Sequence, residues 1–247
     1  MRKLLVAAVT AAVAVLAFSV VSQAGSGEAG TSWEFEYLPA KPGKAVKTDS
    51  LIFPAKQMQD GSYAETKKTT IFFTPKTAFD TSVPKRCTES AGQVVATNGE
   101  ACKKAQVGQG DALSQIGALQ TAAELKAYNR KKGILFLVIA CNPGTGPGQA
   151  DPNCTPLDGG TFALEGKLKY LDKAKKKPIL IVPTPQTLLD GNIIITKFHL
   201  ETDKVVKKGD SYVTSPPKCK KGKFKTKAKI TYDGGVPGQT IKDKQAC

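Results

Sequence analysis

Apolar and polar residues alternate at period two along most of the chain, and that period predicts strands. Trp33, Phe35 and Tyr37 alternate with Glu34 and Glu36, the pattern of a half-buried strand. Thr69–Thr74 is β-branched and aromatic and stops at Pro75. Ile134–Ala140 is an unbroken apolar run, as expected of a strand buried on both faces, with Ala122–Tyr128 as its hairpin partner across Asn129–Gly133. Thr161–Leu171, Ile179–Val182 and Ile193–Leu200 add further strands. The clearest alternation lies near the C-terminus. Lys221, Lys223, Lys225, Lys227 and Lys229 take one face, while Gly222, Phe224, Thr226, Ala228 and Ile230 take the other. Tyr232–Gly235 then turns the chain, and Gln239–Lys244 can return antiparallel. Asp111–Gln120 fits helix and strand about equally, and Gly144–Gly160 reads as an excursion loop. The expectation is a mainly all-β chain: an immunoglobulin-like or related β-sandwich, with at most one or two short helices.

The first residues break this texture. Arg2 and Lys3 precede an apolar run from Leu4 to Val21, and Ser22-Gln23-Ala24 offers small residues where a signal peptidase cuts. The expected division is a signal peptide over 1–24, a flexible Gly/Ser-rich stretch over 25–31 and one sandwich-like domain over 32–247. Within that domain, 216–247 is a candidate disulfide-closed hairpin unit. A retained N-terminal anchor is the competing reading, since the run is near the lower length of a bilayer helix. Removal of the signal would leave no transmembrane span.

Six cysteines suit an exported chain. They permit 15 pairings. Sequence proximity favours Cys87–Cys102, Cys141–Cys154 and Cys219–Cys247, each bridge adding about 3 kcal/mol. No C-x-x-C stands in the chain, so redox chemistry is disfavoured.

One His cannot build a two-His or three-His metal centre. His199 falls on the strand face of Ile193, Ile195, Lys197 and Glu201, opposite a more core-like face of Ile194, Thr196, Phe198 and Leu200. A rim histidine is favoured over a catalytic base, because no nucleophile motif accompanies it. Glu34 and Glu36 share a strand face and are read as solvated rather than as a glycosidase pair. Asp151, Asn153 and Asp158 do not match a calcium loop. Gly108-x-Gly110 and Gly144-x-Gly146-x-Gly148 lack nucleotide-fingerprint spacing and are read as turns. No cofactor or metal is expected, and the chain reads as non-enzymatic.

The charge is the strongest functional signal. There are 36 Lys plus Arg against 21 Asp plus Glu, a formal net charge of +15. Lysines gather at Lys173, Lys175, Lys176 and Lys177, at Lys204, Lys207 and Lys208, and along 218–229. A Lys row attracts polyanions: anionic cell-wall polymers or an anionic membrane surface. Base-stacking aromatics do not interleave with it, so specific nucleic-acid binding is not expected. The competing reading is a solubilising face that protects an edge strand. Chain partners and oligomeric state are not readable.

Val83-Pro84-Lys85-Arg86-Cys87, Cys102 followed by Val107-Gly108-Gln109-Gly110, and Pro216-Pro217-Lys218-Cys219-Lys220-Lys221-Gly222-Lys223-Phe224 before a terminal Cys form a recognisable set. With these the chain resembles a group of uncharacterised secreted β-rich proteins of actinobacteria, high-GC Gram-positive bacteria. The resemblance implies a β-rich fold with paired cysteines, a Lys-rich Cys-to-Cys hairpin and an exported location. It implies no catalytic residue and no substrate.

Overall fold

In the computed structural model the alternating segments form strands, and the structure describes residues 25–26, 31–116, 119–142, 154–172, 176–184, 187–188 and 191–247. The expected signal over 1–24, Lys173, Lys175, Asp151, Asn153 and the Gly144–Gly148 cluster lie outside these described residues. The long strands are β1 (Ser32–Leu38), β2 (Lys47–Phe53), β3 (Thr66–Phe72), β4 (Gln106–Ile116), β5 (Leu119–Arg130) and β6 (Gly133–Cys141). They continue as β7 (Pro156–Asp172), β8 (Lys177–Pro183), β9 (Gly191–Thr202), β10 (Lys223–Tyr232) and β11 (Gln239–Ala246). All join one antiparallel sheet in the order β1-β2-β9-β4-β5-β6-β7-β8-β3-β10-β11, with Gly25–Ser26 and Thr187–Leu188 as short additions. The mainly-β class, the two short helical segments and the three disulfides match expectation. The sandwich-like packing comes from one sheet curled until its ends meet.

Inward residues explain the curl. Trp33 and Tyr37 are 0% exposed; Trp33 stacks on Phe35, and edge-on contacts link Phe35 to Tyr37 and Phe73 and Tyr37 to Phe224 in one aromatic layer. Burying each such side chain contributes about 1.5–3 kcal/mol, which favours β1 folding across the far end of the sheet. Side chains, not a backbone ladder, make the join. Asp243 Oδ2 accepts from the Phe35 N–H at 3.0 Å, and Gln245 Oε1 accepts from the Tyr37 N–H at 2.8 Å. Gln245 Nε2 returns a bond to the Tyr37 carbonyl at 3.1 Å, and Trp33 Nε1 donates to Thr226 Oγ1 at 3.0 Å. Orphan main-chain groups on the edge of β1 are thereby satisfied.

β6 is buried on both faces, as its apolar run predicts. Ile134, Phe136 and Val138 face the interior of the curl. Leu135, Leu137 and Ile139 face outward, into a second core roofed by helix α1 (Ala91–Ala96) and a 3₁₀ turn over Glu100–Ala105. Ser90 caps α1 through a reciprocal box with Gln93. The Cys87–Cys102 bridge straps this roof, and Asn129 Nδ2 donates to the carbonyls of Thr81, Pro84 and Lys85.

Three expectations change. Asp111–Ile116 is strand, with Leu119 opening the next strand of the hairpin. Gly108 and Gly110 are not turn glycines but sit inside β4, where a Cβ would stand 2.4 Å from the Glu201 carbonyl and 2.0 Å from that of His199. Their bareness lets β9 approach. A bulge at Thr196 shifts the β9 register, so Ile195 is buried in the core and not on the face of His199.

Candidate polyanion-binding face

The outer surface of β7, β8, β3, β10 and β11 gathers the lysines. Their outward positions line up across the strands by register. Lys169, Ile179, Phe72, Lys227 and Lys242 make one row. Lys167, Ile181, Thr70, Lys229 and Thr240 make the next. Lys225 stands opposite Lys244. Adjacent rows and strands are about 5–7 Å apart, so this is a dense positive lattice.

A groove of about 560 Å³ runs through it, lined by Lys177, Lys225, Lys227, Lys242 and Lys244. Phe72, Leu171, Pro178 and Ile179 supply apolar lining. Lys227 Nζ sits 4.2 Å from the centre of the Phe72 ring, a cation–π contact that holds the ammonium in place. Leu171 is 64% exposed beside it. Among the described residues, Lys225, Lys227, Lys229, Lys242 and Lys244 form no ion pair with a carboxylate. Like charges placed directly opposite, as in Lys225–Lys244 and Lys227–Lys242, cost stability instead of adding it. A row of lysines left without carboxylate partners carries a local positive potential, the kind that draws phosphate or carboxylate oxygens.

Of the sequence candidates, Lys177, Lys225 and Lys227 line the groove, while Lys223 and Lys229 lie on the same face of β10 outside it. Lys221 stands in the turn before β10 at φ 54°, and Lys176 in the turn before β8, where its carbonyl accepts from the Lys76 N–H. Lys204, Lys207 and Lys208 are exposed on a separate hairpin around Val206–Ser211 and do not join the groove. Lys167, Lys169, Lys242, Lys244 and Phe72 were missed by sequence reasoning. Lys242 and Lys244 were detectable as a second period-two lysine pattern on the returning strand. The six cysteines pair as Cys87–Cys102, Cys141–Cys154 and Cys219–Cys247, the last closing the base of the lysine hairpin.

The opposite wall, β1, β2, β9 and β4, carries His199. Its Nε2 meets Asp49 Oδ1 at 3.0 Å and its Nδ1 meets Asp111 Oδ1 at 3.0 Å. Asp111 Oδ2 also accepts from Lys197 Nζ at 2.6 Å. Burial disfavours the charged ring, but bonds to Asp111 and Asp49 outweigh it and hold the His199 pKa above its ordinary value. Burial likewise opposes the Asp111 carboxylate, yet Lys197 and His199 hold its pKa below the usual range. Desolvation, with help from Asp49, Asp243 and Glu34, raises that of Glu36. Asp49, His199 and Glu201 offer ligand atoms within 4.8 Å of one another. With each ring nitrogen 3.0 Å from a carboxylate oxygen, His199 in its protonated form donates to both Asp49 and Asp111 and so staples β2, β9 and β4 together.

Comparison with protein-family models, curated proteins and solved structures finds no match. Among the described residues no helix is long and apolar enough to cross a membrane.

Proposed function

We propose that the chain is an exported, non-enzymatic envelope protein that holds anionic cell-wall polymers on the lysine groove. One observation carries this reading: unpaired lysines from separate strands converge around one apolar-lined groove. A face made only for solubility needs no convergence and gains nothing from opposed like charges. Lysine suits diffuse attraction to repeating phosphates better than bidentate recognition of one group. The apolar run at Leu4–Val21, the three disulfides and the resemblance to secreted actinobacterial proteins support export.

The test is retention on isolated Gram-positive walls, or on an immobilised wall phosphopolymer, under a salt gradient. Retention should fall steadily as salt rises. Lys225→Glu with Lys227→Glu and Lys242→Glu should abolish it in the folded protein. Retention that persists unchanged in molar salt, or no retention at all, overturns the proposal.

A further inference from the structure

A single histidine cannot make a two-His centre, but one imidazole with two carboxylates supplies three donors. Independently of the lysine face, we propose that Asp49, His199 and Glu201 bind one Zn²⁺ ion on the outer surface of β2 and β9. The register assembles them. Glu201 of β9 stands directly opposite Asp49 of β2, and His199 lies two residues back on the same outward face. Ligand atoms of the three all lie within 4.8 Å of one another.

The arrangement already has nearly the span of a shared ion. His199 Nε2 and Asp49 Oδ1 are 3.0 Å apart. Zinc bonds of about 2.0–2.2 Å to nitrogen and carboxylate oxygen, at tetrahedral angles, hold two ligand atoms about 3.3 Å apart. Zinc can therefore take the place of the proton between them with little movement of ring or strand. Glu201 is the adjustable donor: its carboxylate is half-exposed and its ion pair with Lys47, at 3.5 Å, is loose. A hollow of about 340 Å³ lined by Asp111, Glu124, His199 and Glu201, among others, gives the hydrated ion an approach. It also leaves room for water as the fourth ligand.

Asp111 decides which nitrogen faces the metal. Its Oδ1 is 3.0 Å from Nδ1, while Lys197 holds its second oxygen at 2.6 Å. A carboxylate accepting from Nδ1–H fixes the tautomer and aims Nε2 at Asp49, the support that ligating histidines commonly have. Asp111 is thus a positioning residue, and Lys197 keeps it off the ion. The cross-strand register also calls for a cation. Glu36 of β1, Asp49 of β2 and Glu201 of β9 oppose one another in one row, and like charges so placed repel. Lys47, beside Glu201, is the competing cation. An imidazole donor selects zinc over magnesium or calcium, which take oxygen ligands.

His199 is the only histidine, so its ring C–H proton resonances report ligation directly. The test titrates zinc chloride into the full chain, free of any affinity tag, in phosphate-free buffer at neutral pH, read by proton NMR and by calorimetry. Saturable binding at one ion per chain is expected, with the ring signals shifted by zinc and unmoved by excess magnesium. Asp111→Ala should weaken binding about 10–100-fold. Asp111→Asn, whose amide oxygen still accepts from Nδ1–H, should weaken it much less. Asp49→Asn with Glu201→Gln, which replaces both carboxylate donors, should reduce affinity by more than Asp111→Ala does. Lys47→Ala should tighten binding about twofold to fivefold by freeing Glu201. Should the double variant not fold, the wild-type titration decides alone. Ring signals unmoved by zinc at millimolar concentration, or zinc affinity unchanged in the Asp49→Asn, Glu201→Gln chain, overturns the proposal.

Discussion

Two sides of one curled sheet treat charge in opposite ways. On the wall of β1, β2, β9, β4 and β5 the charges interleave. Lys47 pairs with Glu201 at 3.5 Å, Lys126 with Glu124 at 3.4 Å and Lys197 with Asp111 at 2.6 Å, while His199 bridges Asp49 and Asp111. On the wall of β7, β8, β3, β10 and β11, lysines face lysines across the β10–β11 ladder. Both walls are built by the same alternation and protect the same core. The difference teaches that the first wall's charges are spent on one another, while the described lysines of the second wall's β10–β11 ladder stand without carboxylate partners.

The largest effect should come from reversing charge on the free wall. Lys225→Glu with Lys227→Glu and Lys242→Glu should cut affinity for an anionic polymer at least about tenfold by surface binding assays, each lost contact weakening the salt-dependent attraction. The same number of reversals at Lys47, Lys126 and Lys197 should leave most of that affinity, and equal losses would break the comparison.

The seam where the walls meet is next. Asp243→Ala leaves the Phe35 N–H without its acceptor and should destabilise the fold by about 1–3 kcal/mol in denaturant titration. Burial already raises the Asp243 pKa, against bonds from the Phe35 and Lys244 main chain. Asp243→Asn, which keeps an acceptor without charge, should therefore cost much less.

Smaller effects belong to the paired wall. His199 has a folded-state pKa above its ordinary 6.5, so the staple's stabilisation is fully present below that value. It is lost as pH rises through the raised folded pKa. His199→Gln should flatten this fall in unfolding free energy between acid and mildly alkaline pH. Asp111→Ala should cost less than about 1 kcal/mol, because Asp111 is half exposed and water screens its pairs. The smallest change is a gain. Lys244→Glu should stabilise the β10–β11 ladder by about 0.2–1 kcal/mol by turning an opposed like pair with Lys225 into an attractive one. A loss of melting temperature in that variant would contradict the reading of the lysine lattice as strained by its own charge.

Local alternation made much of the fold legible. Trp33, Phe35 and Tyr37 went inward as their spacing requires, β6 was recognisable by its apolar run, and Phe224–Ile230 and the lysines between them took opposite faces. Cysteine proximity alone named the three bridges. What stayed hidden depends on partners far along the chain. Nothing near Lys227 announces that Phe72 will lie beneath it, since β3 and β10 are neighbours only in the sheet. His199 looked unaccompanied because Asp49 and Asp111 arrive from β2 and β4. One extra residue at Thr196 was enough to turn Ile195 to the opposite face.

The most direct test of the charged face is the salt dependence of binding to a purified wall phosphopolymer, measured side by side for the wild-type chain and for the Lys225→Glu, Lys227→Glu, Lys242→Glu variant. The predicted result is a linear fall of log affinity with log salt for the wild type, with both affinity and slope strongly reduced in the variant. Equal affinity and equal slope in the two proteins would contradict the account and leave the lysine face as a solubilising surface alone.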